Sequence, residues 1–464
     1  MVKKVLLLPV VFVFFLSLQL LLLYAAAFIP NSAIEKHYKE SADYLCEKQV
    51  FFNLNKDINA SKIDRYADSI LLNIAWNFDK KLSAVLMDSY YYTDYQNEND
   101  NLHDAVYDGK EANKQYMRYW HGSAGIVRLA HTVCNIKQMY IVGAVLIGVL
   151  FFVLLVLLVK RGLIGEAAAM TIGMIAVGVW YVPMSLEYLW TFIVMLIITF
   201  FAVHYSENDH ALMIVLMLSG MITNYLDFLT SETLTLLVPL ILVCSIRLKR
   251  SGSIFLGTLA DGSKKTEVKN TSEKSSVKVS NNSKMRKGSD NKKADFIVLG
   301  KFCVVWGVGY AGAWIAKWLL TALCTGANVM PYISGHIEER LYGDASGMGI
   351  IEYLVKAVAR NIGCLFPLGF GAIGVIFAVI IIVGYLYVCY VYHGNNISGH
   401  SILIFALIGF VPIVRYLVLH NHSYLHYFFT YRALMVSVMA MCLIAFEIID
   451  RRYIDNAFFH RRKS

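Results

Sequence analysis

The chain has 464 residues, of which 57% are hydrophobic and only 16% charged, whereas a soluble domain carries about 25% charged residues. Mean hydropathy is +0.54, and stretches of roughly 20 apolar residues recur, each long enough for a hydrocarbon core of about 30 Å. Short alternating strands are not seen, which makes a closed β-barrel a weak alternative and favours an all-α, polytopic transmembrane helical bundle. The net charge of +9 is local: residues 247–293 hold 13 Lys and Arg against 4 Asp and Glu, the whole imbalance. No aromatic residues are interleaved there for base stacking, so nucleic acid is not an expected partner. Attraction to membrane lipids with anionic headgroups accounts for the bias.

In chain order, the apolar stretches read as about ten spans: 5–28, 139–160, 163–182, 188–204, 211–226, 233–247, 297–321, 366–392, 399–419 and 433–449, with 163–204 open to another division around Pro183. Lys3-Lys4, Lys160-Arg161, Arg247 to Lys293 and Arg451 to Lys463 all fall on one side of that scheme. The positive-inside rule makes that side cytoplasmic and places both termini there. The organisation expected is an N-terminal membrane anchor (1–30), an extracytoplasmic helical segment (31–138) and a first part of the bundle (139–247). A disordered basic cytoplasmic loop (248–296), a second part of the bundle (297–449) and a basic cytoplasmic tail (450–464) follow. Ala25-Ala26-Ala27 resembles a signal-peptide cleavage site, but the apolar run of about 24 residues suits a retained anchor better.

Within 31–138, Ile63, Tyr66, Ile70, Leu71, Ile74 and Ala75 predict an amphipathic helix, while Tyr90 to Tyr95 and Asn97 to Asn101 read as exposed loop. Ile350, Ile351, Leu354, Val355 and Val358 mark a second amphipathic helix, expected to lie in the membrane interface. The eight cysteines lack CxxC spacing, which argues against zinc or redox motifs. Disulfides Cys46–Cys134 and Cys324–Cys364 stay open, with unpaired thiols the preferred reading.

Polar chemistry collects on the outer side. His422 and His426 are one helical turn apart, with Arg432 near the head of the last span. Such a set suits an anion, and three histidines favour that reading over an interfacial aromatic belt with a snorkelling Arg. Zinc held by His420, His422 and His426 is a lesser alternative. Arg118-Tyr119-Trp120-His121-Gly122 reads equally as an aromatic anchor or an anion pocket, which Arg128 would extend. Asp227 sits in a very short connection close to hydrocarbon, where burial would raise its pKa toward that of a useful base. Glu232 reads as part of a helix start, and Glu187 is a lone carboxylate at the same face. His336, Glu338, Glu339, Arg340 and Asp344 read first as a solvated loop, with a base or a metal site as the alternative.

Many spans, a long first outer loop, and carboxylates, arginines and histidines on outer loops resemble the GT-C class of membrane glycosyltransferases. The run from His422 to Arg432 is also similar to segments of bacterial polytopic membrane proteins. The GT-C resemblance implies an enzyme of the cell envelope that moves a sugar from a polyprenyl-phosphate carrier to an extracytoplasmic acceptor in polysaccharide or glycan assembly. It implies a catalytic acid near the start of the first outer loop, where this chain offers only Glu35 and no paired Asp. On that reading Asp227, then Glu35 or Glu338, is the catalytic base, and Arg118, His121, His422, His426 and Arg432 bind the lipid-carrier phosphate. A divalent cation is compatible with such a site, although no ligand set is compelling. Rival readings are a lipid-linked glycan polymerase or ligase, a transporter, and a non-catalytic assembly protein. The spans' middles are nearly free of charge, apart from Lys317 near an outer end, which disfavours a transporter.

Overall fold

The structure, a computed structural model, describes residues 7–87, 91–117, 119–226, 229–256, 281–341, 348–365, 372–395 and 397–450. Helix dominates throughout. The leucine-rich helix α1 (Leu7–Ala26) buries an edge formed by Gln19, Leu23 and Ala26. The Gln19 amide donates to the Met221 carbonyl at 3.1 Å, and Tyr225 Oη donates to the Gln19 carbonyl at 2.8 Å.

The segment that follows is a compact helical subdomain. It contains α2 (Asn31–Cys46), a hairpin of β1 (Phe51–Asn53) and β2 (Lys62–Asp64), α3 (Arg65–Trp76), α4 (Glu98–Tyr107) and α5 (Gly122–Ala130). Ile70, Leu71, Ile74 and Ala75 are buried on α3, as the periodicity predicts, whereas Ile63 is buried on β2, ahead of the helix, and Tyr66 turns outward. The expected exposed loop is one only in part: Tyr90 lies outside the described residues, Asp94 to Gln96 and Asp100 are exposed, and the others are buried or half-buried. Tyr91 and Tyr92 are buried, and Asn97 caps α4 by accepting from the Asn99 amide. Asn99 donates to the Leu45 and Lys48 carbonyls, Asn101 to Tyr95 O, and Asn73 to Tyr92 O. Their side chains satisfy irregular backbone that would otherwise be buried unpaired.

Helices α6 (Ile136–Lys160), α7 (Ile164–Ala176), α8 (Leu186–His204), α9 (Asp209–Leu226), α10 (Leu234–Ser251) and α11 (Asn281–Thr325) form the first part of the bundle. Helices α12 (Met330–Leu341), α13 (Ile350–Leu365), α14 (Ala372–Val391), α15 (Gly399–Val418) and α16 (Met435–Ile448) complete it. Among the described residues seven helices are long and apolar enough to cross a membrane. Of the remaining expected spans, α7 has only 13 residues and gives way to a 3₁₀ turn, Val179–Met184, that contains Pro183. Helix α10 ends on Arg247, Lys249 and Arg250. The last, 366–392, begins outside the described residues, and Ile376–Val391 is the shorter apolar helix found there.

Helices α9 and α11 cross with their backbones in contact. A Cβ on Gly220 would lie 2.3 Å from Trp306 O, and one on Gly309 would lie 2.2 Å from Met217 O. Small residues at a helix crossing allow this close packing where lipid supplies no hydrophobic drive.

Of the basic loop expected to be disordered (248–296), 257–280 lies outside the described residues; the flanks are corrected, because α10 runs on to Ser251 and helical backbone resumes at Asn281. Helix α13 buries Tyr353, Ala357, Asn361 and Cys364 and leaves Ile350, Ile351 and Val355 exposed, the apolar outward face of the interfacial expectation. All eight cysteines are free thiols, so neither candidate disulfide forms.

Candidate functional site

A cavity of about 660 Å³ opens where the subdomain meets the bundle. Asp64, Lys114, His121, Glu187, His422 and His426 supply its charged and titratable lining, with tyrosines such as Tyr66, Tyr116 and Tyr332 around them. Each is positioned by local chain chemistry. Asp64 ends β2 and caps α3, accepting from the Ala67 amide at 2.9 Å. Glu187 lies in the first turn of α8. His121 precedes α5 with φ +50°, and its imidazole lies 2.8 Å from Tyr116 O. A left-handed non-glycine residue is uncommon, and such strain concentrates at functional sites. His422 belongs to the short helix His420–Leu425, and His426 follows it with its ring centroid 4.8 Å away.

The carboxyls of Asp64 and Glu187 share a hydrogen bond. Asp64 is only 3% exposed. Burial pushes its pKa up to about 6, against the opposing pull of the Ala67 amide, Glu187 and nearby Lys62. Asp68, one turn further along α3, is fully buried, and burial raises it to about 7. Tyr140 Oη donates to it at 2.5 Å, Ser185 Oγ at 3.1 Å and the Leu186 amide at 2.9 Å. It thereby caps the helix that presents Glu187.

Arg432 is 1% exposed, with its guanidinium 4.2 Å from the Tyr188 ring centroid. Nη1 donates to Phe428 O at 3.2 Å, while Nε and Nη2 have no partner among the described residues. A buried guanidinium with unused donors is an anion-receptive group.

Of the residues singled out from sequence, His121, Glu187, His422 and His426 meet at this cavity. Arg432 stands behind it, against Tyr188, the residue after Glu187. Asp227 and Arg118 lie outside the described residues. The chain beside Asp227 is firmly held: Leu229 takes φ +69°, and Thr230 Oγ1 lies 3.1 Å from Thr191 Oγ1. Glu35 is an exposed partner of Lys39 at 2.7 Å, and Glu338 is exposed on α12, so neither lines the cavity.

Two expectations are corrected. Arg128 does not extend a basic surface; it is buried and donates to the Ala75, Trp76 and Ile29 carbonyls and to Asn31. Glu232 is no helix cap, because Arg415 binds both its oxygens, Nε to Oε1 at 2.6 Å and Nη2 to Oε2 at 2.8 Å. Among the described residues no group of three His, Cys, Asp or Glu is placed to hold a metal. His420 packs edge-on against Tyr353 instead of joining its neighbours.

Asp64 and Asp68 were not singled out from sequence. Their signal is the run Asp64-Arg65-Tyr66-Ala67-Asp68, which sets two carboxylates one turn apart within a strongly apolar helix. Comparison with protein-family models, curated proteins and solved structures finds no match to this chain.

Proposed function

We propose that this chain is an integral membrane glycosyltransferase of GT-C type, moving a sugar from a polyprenyl-phosphate carrier to an extracytoplasmic acceptor. The observation that carries the reading is the buried Asp64–Glu187 carboxyl pair, facing His121, His422 and His426 in one cavity beside the membrane helices. The protein sits in a cell membrane with about ten spans, both termini cytoplasmic and the cavity on the outer face. Supporting that orientation, Arg161, Arg247, Lys249 and Arg250 collect at the opposite helix ends.

Asp64 replaces Asp227 as the first candidate for the base, because it lines the cavity and burial raises its basicity. Its carboxylate takes the proton of an acceptor hydroxyl as that oxygen bonds to the anomeric carbon. The bond from that carbon to the phosphate oxygen breaks, and the electron pair leaves with the phosphate. His422, His426 and Arg432 stabilise the negative charge that develops there. Glu187 shares the site's proton, and Asp68 holds Glu187 in place without touching substrate.

The test is transfer of radiolabel from polyprenyl-phosphate sugars in proteoliposomes, comparing wild type with Asp64→Asn and Arg432→Ala. Transfer that collapses in both folded variants supports the reading. Full transfer in both sinks the residue assignment, and none from wild type with any donor sinks the activity.

A further inference from the structure

The far end of α8 carries a second site, independent of the proposed chemistry. From Glu187 to His204 the helix rises about 26 Å at 1.5 Å per residue, close to a hydrocarbon thickness. There a cavity of about 410 Å³ is lined by Arg161, Leu163, His204, Ser206, Glu207 and Ile246.

Charge matching around it is nearly complete. Arg247 pairs with Asp209 at 2.8 Å, Lys249 with Glu166 at 2.6 Å, and Arg250 with Glu207. Arg161 is left over: its guanidinium donates to the Val203 and His204 carbonyls and meets no carboxylate among the described residues. Ser206 is 1% exposed, and its hydroxyl has no hydrogen-bond partner among the described residues. The site therefore offers an uncompensated guanidinium, an imidazole and an unused buried hydroxyl, with Glu207 already neutralised by Arg250. Exposed Val159, Ile164 and Phe201 lie nearby on the three helices, continuing the rim as an apolar surface.

We infer that this cavity binds the phosphate of an anionic glycerophospholipid headgroup, with the acyl chains lying along that apolar surface. The guanidinium and hydroxyl bind phosphate oxygens, and the imidazole adds a further donor. The apolar rim is what selects a lipid over free phosphate.

The experiment uses the purified full chain in a neutral detergent, titrated with phosphatidylglycerol, phosphatidylcholine, glycerol phosphate or inorganic phosphate. Bound lipid is read by native mass spectrometry and stability by the thermal midpoint. Expected are retained phosphatidylglycerol and a raised midpoint, with weak effects from the other three. Arg161→Gln/His204→Gln should weaken phosphatidylglycerol binding at least tenfold, whereas Glu207→Gln/Arg250→Gln, which leaves the net charge unchanged, should not. Ser206→Ala removes an unpartnered hydroxyl and so should fold normally, with affinity lowered about fivefold; it carries the test if the double variant misfolds. Equal binding of phosphatidylcholine, a full effect from inorganic phosphate alone, or unchanged binding in Ser206→Ala together with the folded double variant would each overturn the proposal.

Discussion

Asp68 sets the position of Glu187 through the main chain: its Oδ1 accepts from the Glu187 amide at 3.3 Å as well as from Leu186. A residue of the helical subdomain thus fixes the first turn of a helix long and apolar enough to cross a membrane. Asp68→Ala should lower stability by about 2 kcal/mol, since it removes a helix cap and leaves the Tyr140 hydroxyl and backbone amides unpaired. Thermal unfolding in detergent reads this. Asp68→Asn should retain part of the loss, because its carbonyl still accepts.

Stability should depend on pH in a direction opposite to that of most carboxylates. Asp64 and Asp68 have folded pKa values near 6 and 7, both raised from 3.8. The folded state therefore binds more protons than the unfolded one between those values. Their contribution is fully present below about pH 4 and is lost as pH rises through 6 to 7. The thermal midpoint of wild type should fall over that window relative to Asp64→Asn/Asp68→Asn. Parallel curves would refute the assignment.

Activity should follow the opposite limb. If Asp64 is the base, turnover rises with pH through an apparent value near 6 that belongs to the Asp64–Glu187 pair jointly. Asp64→Asn should lower turnover by about a hundredfold or more and flatten that limb. A profile measured on proteoliposomes checks both.

Arg432 separates stability from function. Arg432→Met replaces a buried cation that meets no carboxylate among the described residues with an apolar chain of similar length. The thermal midpoint should hold or rise while transfer collapses. A sharp fall in midpoint would instead make Arg432 a structural brace.

Arg415 and Glu232 are the contrasting case, a buried bidentate pair beside the short α9–α10 connection. Glu232→Gln should cost about 3 kcal/mol because it strands the Arg415 charge, and Glu232→Gln/Arg415→Met should recover part of that. A double-mutant cycle on thermal unfolding measures the coupling.

Hydropathy made the seven long apolar helices legible, because such a stretch is continuously apolar whatever it packs against, while three further expected spans are short, charged at one end or begin outside the described residues. The histidine motifs were legible too, since imidazoles at a membrane boundary stand out against an apolar background. Asp64 and Asp68 escaped attention because their meaning is tertiary: they face Glu187 and Ser185, more than 110 residues away, and their one-turn spacing is a local sign that ordinary caps and solvated carboxylates share. The asparagines of 97–101 misled for a related reason. In sequence they read as turn formers, but their amides are spent on satisfying buried backbone.

The crossing of α9 and α11 at Gly220 and Gly309 bears on how much the chain's continuity matters. These helices lie on either side of the basic loop, and the same two halves also meet where α7 packs on α16 and α10 on α15. Asp295 adds a clasp, accepting from the amides of Ile254 and Phe255. With so much non-covalent surface between them, the halves should not need the peptide that joins them. Two polypeptides, 1–256 and 281–464, made together should find each other in the bilayer and copurify, and a bulky residue at Gly309 should abolish that reassembly.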